Sequence, residues 1–147
     1  MHSENNYLAS LDRLVGEYKL EQILASHLQF RGALTEAVQE EKIGDVFVSC
    51  FSKSKVLEVY SDFINNFNQA MELAKSESKR KSAFADFLKV KQITASDRLN
   101  FFGLMVKPIQ RFPQFILLLQ DLLKETPQGH RDRWDTELAG LSCSRMF

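Results

Sequence analysis

Three histidines and two cysteines are the side chains of this 147-residue chain best suited to nucleophilic, acid–base or metal chemistry. His2, His27, His130, Cys50 and Cys143 stand apart from one another, with no Cys/His neighbours and no CxxC pair. HExxH, GxSxG and the phosphate-cradling GxxxxGK[ST] pattern are absent as well. Spacing thus offers no covalent reaction, no metal site and no cofactor, and the chain is not expected to be an enzyme in the covalent sense. The basic run Lys79-Arg80-Lys81 has the chemistry to touch acidic lipids. It is short and close to Glu77, so it reads as a solvated connection with weak membrane-surface contact at most. Nineteen basic residues balance nineteen acidic ones, which gives no argument for a nucleic-acid partner. Binding remains, and its best candidate is the leucine-rich stretch after Pro113, where Leu117 flanks an otherwise satisfied apolar stripe. Another helix of the same bundle or a second protein would cover Leu117 equally well, and periodicity leaves both open.

The elements that must position these residues read as helices. With 44% hydrophobic and 26% charged residues, six glycines and three prolines, the composition suits an all-α domain with a real core. Two cysteines without motif spacing read as reduced thiols of a cytoplasmic protein. Polar residues after Met1 argue against a secretory leader, and the longest apolar run, residues 115–119, is too short for a transmembrane segment.

Residues 4–24 predict a first helix with a soft break later at Gly32. Residues 45–51 are ambiguous by period and are assigned to helix from their context. From Val56, the positions Tyr60, Phe63, Ile64, Phe67, Met71 and Ala74 recur at helical spacing and predict one buried stripe of about five turns. A polar connection (75–82) and a short helix follow. Thr94 and Asp97 fit a capping box opening a helix that stops near Pro108. Pro113 is then expected as the first residue of a new helix. Its stripe is Phe115, Leu118, Leu119, Leu122 and Leu123, and it ends at Thr126-Pro127-Gln128-Gly129. Residues 134–147 are weakly periodic and read as a poorly anchored tail.

The stretch 104–126, "LMVKPIQRFPQFILLLQDLLKET", resembles the third conserved region of Dbl-homology (DH) domains, the Rho guanine-nucleotide exchange factors. The match rests on Lys107, Pro108, Gln110 and Arg111, then Phe115, the leucines 117–119, Lys124 and Thr126. Residues 43–74 resemble the second region through Gly44-Asp45-Val46-Phe47, Tyr60, Phe63, Asn66 and Ala74. Residues 3–11, "SENNYLASL", resemble the start of the first. The Phe-Pro-Gln-Phe-Ile variant is similar to the branch containing Rho guanine nucleotide exchange factors 10 and 17.

This resemblance implies an elongated antiparallel helical bundle, a partial DH domain over residues 3–133. It also implies a Rho-family small GTPase as partner, of RhoA type. Exchange factors of this class bind the nucleotide-free GTPase more tightly than its GDP form and by linkage weaken GDP. By motif, Glu4 would hydrogen-bond the first switch, while Gln114, Leu117 and Asp121 would face the second. Lys107, Pro108, Gln110 and Arg111 would mainly hold the bundle. The family usually has Lys or Arg where Gln114 stands, so a charge-assisted contact is lost. Two departures stand out: an apparent internal deletion near residues 19–20, and residues 134–147 replacing a long GTPase-contacting helix. They predict a shortened form with weak or absent exchange activity. The alternative is a non-catalytic helical interaction module or a GTPase-binding decoy.

Overall fold

The computed structural model describes residues 20–145, and among these the chain is helical with no strand. The elements are α1 (Glu21–Glu40), α2 (Ile43–Phe51), α3 (Ser54–Arg80), α4 (Ser82–Thr94), α5 (Phe101–Met105), α6 (Lys107–Glu125) and α7 (Arg133–Ser144). The expected first helix, residues 4–24, lies almost entirely outside the described residues. α1 buries Ile23, His27, Phe30, Leu34 and Ala37, alternating steps of four and three that make a single stripe. It runs straight through Gly32 and ends where Glu41 turns left-handed, at φ 56°. The ambiguous segment is helix α2, as its context suggested, and buries Val46, Phe47 and Phe51.

Helix α3 is longer than the five turns expected, because the polar residues 75–80 continue it to Arg80. Glu77, Arg80 and Lys81 form ion pairs at helical spacing that favour this extension. Tyr60 and Ala74 are its buried residues; Phe63, Phe67 and Met71 are partly buried against the core. The capping-box expectation fails. Thr94 is the last residue of α4, its hydroxyl donating to the Val90 and Lys91 carbonyls. The cap of the next helix is Asn100, whose Oδ1 accepts from the Gly103 N–H at 2.8 Å.

Pro113 is also placed differently from expectation. Helix α6 starts at Lys107 with Pro108 in its first turn, and Pro113 lies inside it. An interior proline costs about 3 kcal/mol through a lost bond and a ring clash. The helix persists because Arg111, Phe112, Phe115 and Leu119 are all buried along one side of it. Two buried aromatic side chains contribute about 1.5–3 kcal/mol each, enough to outweigh that cost. Pro113 itself faces solvent. Pro113→Ala is therefore expected to stabilise the fold by about 1–3 kcal/mol, read as a higher urea midpoint.

The poorly anchored tail is likewise corrected. Residues 133–144 form α7, which packs extensively against α2 and α6 and buries Thr136, Ala139 and Cys143. Weak periodicity concealed this because the buried set is small and mixed, the kind a close helix approach requires. Both cysteines are free. Burial pushes the Cys143 thiol up to about 12, so it carries no reactive thiolate near neutral pH.

The core is a cluster of rings gathered from four helices, α1, α2, α3 and α6. Phe30 lies 4.8 Å from both Phe47 and Phe51, and Phe115 lies 5.0 Å from Phe47 between ring centroids. Tyr60 meets Phe112 edge-on at 4.6 Å. Edge-to-face pairs of this kind add about 0.5–1.5 kcal/mol each beyond burial. His27, read as isolated in sequence, is fully buried here, and its Nε2 lies 2.5 Å from the Tyr60 hydroxyl. That hydrogen bond ties α1 to α3 inside the aromatic cluster and satisfies two polar groups that burial would otherwise penalise.

Candidate protein-binding surface

Helix α6 has two unlike sides, and the split follows from its register. With Phe115 and Leu119 at the centre of the buried side, helical spacing brings Arg111 and Phe112 onto it. Leu118, one residue away from Leu119, turns outward and is 49% exposed. The expected stripe was therefore wrong at Leu118, which lies at the surface, and omitted Phe112, which is wholly buried.

Arg111 is 2% exposed. Its guanidinium lies 4.3 Å from the centre of the Phe115 ring, and its Nη1 donates to Gln114 Oε1 at 3.2 Å. This stacking puts a planar cation on an aromatic face in a dry setting, where cation–π attraction is strongest. Of the other motif residues, Pro108 is buried, Lys107 is half-buried and Gln110 is exposed.

The outward side carries Gln114, Leu117 and Asp121, spaced three and four residues apart and all exposed. Leu117 is the apolar member of the three, at 62% exposure. Asp121 pairs with Lys124 at 2.8 Å, but both side chains are over 70% exposed, so the pair adds little stability. Beside this side lies a shallow apolar groove between α1 and α6, lined by Leu34, Val38, Leu118 and Leu122. Glu4, the fourth expected contact, lies outside the described residues. Among the described residues, no cluster of His, Cys, Asp or Glu could hold a metal ion.

Two consecutive residues that sequence reasoning overlooked fix the ends of the elements around α6. The Asp132 carboxylate accepts from the N–H groups of Gly44 at 2.7 Å and Asp45 at 3.1 Å, so it caps α2 from a distant part of the chain. Arg133 Nη1 donates to the Leu123 carbonyl at 3.1 Å and to the Thr126 carbonyl, so it caps the end of α6. An acid at a helix start and a base at a helix end both oppose the helix dipole. Neither has a local signature, because their partners are up to 88 positions away.

The described residues thus form an all-helical domain in which one long helix buries one side and presents polar and apolar side chains on the other. The sequence matches the RhoGEF domain family over residues 1–145, and the chain belongs to that family. It is 47% identical over 165 aligned residues to Rho guanine nucleotide exchange factor 10-like protein of Pongo abelii, covering 95% of this chain. Rho guanine nucleotide exchange factor 17 of Homo sapiens is 32% identical over 78% of the chain and 6% of its own length. The chain thus spans 13% of the length of the first of these relatives.

Among solved structures, the fold is similar to the DH/PH domains of p115-RhoGEF (R399E mutant), with a TM-score of 0.89 at 21% identity. That match covers 98% of this chain and 49% of the other. It is also similar to the DH/PH fragment of PDZRHOGEF in complex with human RhoA, with a TM-score of 0.85 at 19% identity, over 98% of this chain and 48% of the other. Among the described residues, no helix is long and apolar enough to cross a membrane.

Proposed function

We propose that this chain is the GTPase-recognising part of a Rho guanine-nucleotide exchange factor, acting in the cytoplasm on a RhoA-type GTPase. The observation that carries the reading is the outward side of α6, where Gln114, Leu117 and Asp121 stand exposed on a helix held rigid by its buried opposite side. In this reading Leu117 fills an apolar recess next to the second switch, and Gln114 and Asp121 hydrogen-bond around it. Glu4 supplies the contact to the first switch. The work is thermodynamic: binding energy spent only on the nucleotide-free form lowers the affinity for GDP by the same factor. The RhoA complex of the similar PDZRHOGEF fragment supports the choice of GTPase class.

The alignment with the first relative extends over 165 residues, more than the 147 that this chain possesses, so it opens gaps in this chain. Gaps of this kind are in keeping with an internal deletion, which the spacing of the family motifs puts near residues 19–20. Losing a packed segment of a bundle removes several buried contacts at about 2–5 kcal/mol each. The 147-residue polypeptide by itself is therefore expected to bind a GTPase but to exchange its nucleotide slowly or not at all.

Release of a fluorescent GDP analogue from RhoA, together with pull-down on nucleotide-free RhoA, tests both parts. Capture on nucleotide-free RhoA is expected, with exchange well below that of a form carrying the relatives' additional residues. Leu117→Glu should weaken capture by about thirtyfold, the effect of a central apolar anchor worth about 2 kcal/mol. Full exchange rates from the short chain would refute the deletion argument. Capture that Leu117→Glu leaves unchanged would refute the assignment of α6.

A further inference from the structure

The chain as a whole has no net charge, yet residues 75–91 contain six basic residues and two acidic ones. This excess of positive charge lies at the elbow where α3 turns into α4. Lys79, Arg80 and Lys81 are exposed there, with Arg80 and Lys81 sharing the Glu77 carboxylate at 2.9 and 3.0 Å. Beyond the elbow, α4 rests one face on α3, with Phe84, Ala85, Leu88 and Gln92 half-buried. No residue of α4 is fully buried.

Its opposite face is apolar and open. Phe87 is 45% exposed, Val90 57% and Ile93 63%. Steps of three residues set these side chains along one strip, and helical spacing puts Lys89 and Lys91 on its two borders. Lys91 Nζ lies 5.6 Å from the Phe87 ring centre, so its stem runs beside the strip with the charge at the edge. Asp86 is the one carboxylate on this face.

An apolar strip with cations along both edges and at one end is the layout of a helix that lies flat in a bilayer surface. We propose that the outer face of α4, with the basic elbow, docks on an anionic lipid surface. Phe87, Val90 and Ile93 enter the headgroup boundary while Lys79, Arg80, Lys81, Lys89 and Lys91 meet lipid phosphates and carboxylates. Charge complementarity selects an anionic surface, and the apolar strip separates a bilayer from a nucleic acid, which would use the cations alone. The inference is independent of the GTPase reading, since it uses none of the α6 residues. It also goes further than the sequence, where the basic run had no apolar neighbour in view.

Co-sedimentation of the 147-residue chain with phosphatidylcholine vesicles, with and without phosphatidylserine, tests the proposal. Binding is expected only with phosphatidylserine, and it should weaken as salt is raised. Val90→Asp/Ile93→Asp, both exposed positions that leave the core intact, should reduce it at least tenfold with an unchanged helical circular-dichroism spectrum. Lys79→Glu/Lys89→Glu should reduce it by a similar factor, since each charge near the surface is worth about fivefold. Three results would overturn the proposal. They are no binding to phosphatidylserine vesicles, equal binding to phosphatidylcholine alone, and binding that follows the cations but ignores Val90→Asp/Ile93→Asp, which would indicate a general polyanion or an acidic protein.

Discussion

Gly44→Ala is expected to destabilise the domain by about 3–5 kcal/mol, a large share of the roughly 5–15 kcal/mol that holds an ordinary domain folded. A Cβ built on Gly44 would lie 2.2 Å from the Thr136 backbone nitrogen and 2.6 Å from the Asp135 carbonyl carbon. Both are backbone atoms at the start of α7, so no side chain can rotate away and α7 must shift. The shift also breaks the bonds from Gly44 and Asp45 to the Asp132 carboxylate, which would stay buried without its partners. Urea unfolding followed by circular dichroism measures the loss. Gly32→Ala and Gly140→Ala, in helices with open space around them, are the matched controls. They should stabilise by about 0.5–1 kcal/mol, because alanine restricts the unfolded chain and favours helix. Equal behaviour at the three positions would refute the close approach of α2 and α7.

Phe115→Ala should cost about 3–5 kcal/mol and lower the melting temperature by about 10 °C or more. Phe115 meets Phe30, Phe47, Phe51 and Phe112 within 5.7 Å between ring centres, so its removal opens a cavity walled by rings of α1, α2 and its own helix. It also takes away the ring on which the buried Arg111 guanidinium rests. Leu117→Ala, two residues further along the same helix but exposed, should change stability by less than about 0.5 kcal/mol. The contrast separates the two sides of α6: one variant loses the fold, the other keeps it and puts only binding at risk. A Phe115→Ala cost below about 1 kcal/mol would show that the ring cluster is looser than these distances imply.

Most helices were legible because their signals are local. The three- and four-residue spacing from Val56 to Ala74 survives as α3, and the Thr126-Pro127 stop survives as the end of α6. The failures occurred where a local rule met a stronger distant one. Pro113 obeys the rule for helix starts, yet the burial of Phe112 and Phe115 carries the helix across it. Thr94 and Asp97 match a capping pattern, but Asn100 holds the cap because the intervening residues form a turn. Residues 134–147 lack a strong stripe, and the reason that α7 packs as it does is Gly44, some ninety positions before it.

By itself, the sequence determined an all-helical domain through its apolar spacing and the RhoGEF family through its motifs, and the family resemblance picked out Gln114, Leu117 and Asp121, which the structure leaves exposed. Apolar spacing and motif residues are both local properties, written along the chain. The tertiary structure alone decided that Arg111 lies buried on Phe115 while Leu118 faces solvent, and that His27 bonds Tyr60 inside the ring cluster. It alone decided that Asp132 and Arg133 cap two helices from a third. Each of those outcomes depends on what a side chain meets across the bundle, and a backbone approach of a few ångströms between distant residues has no image in local periodicity.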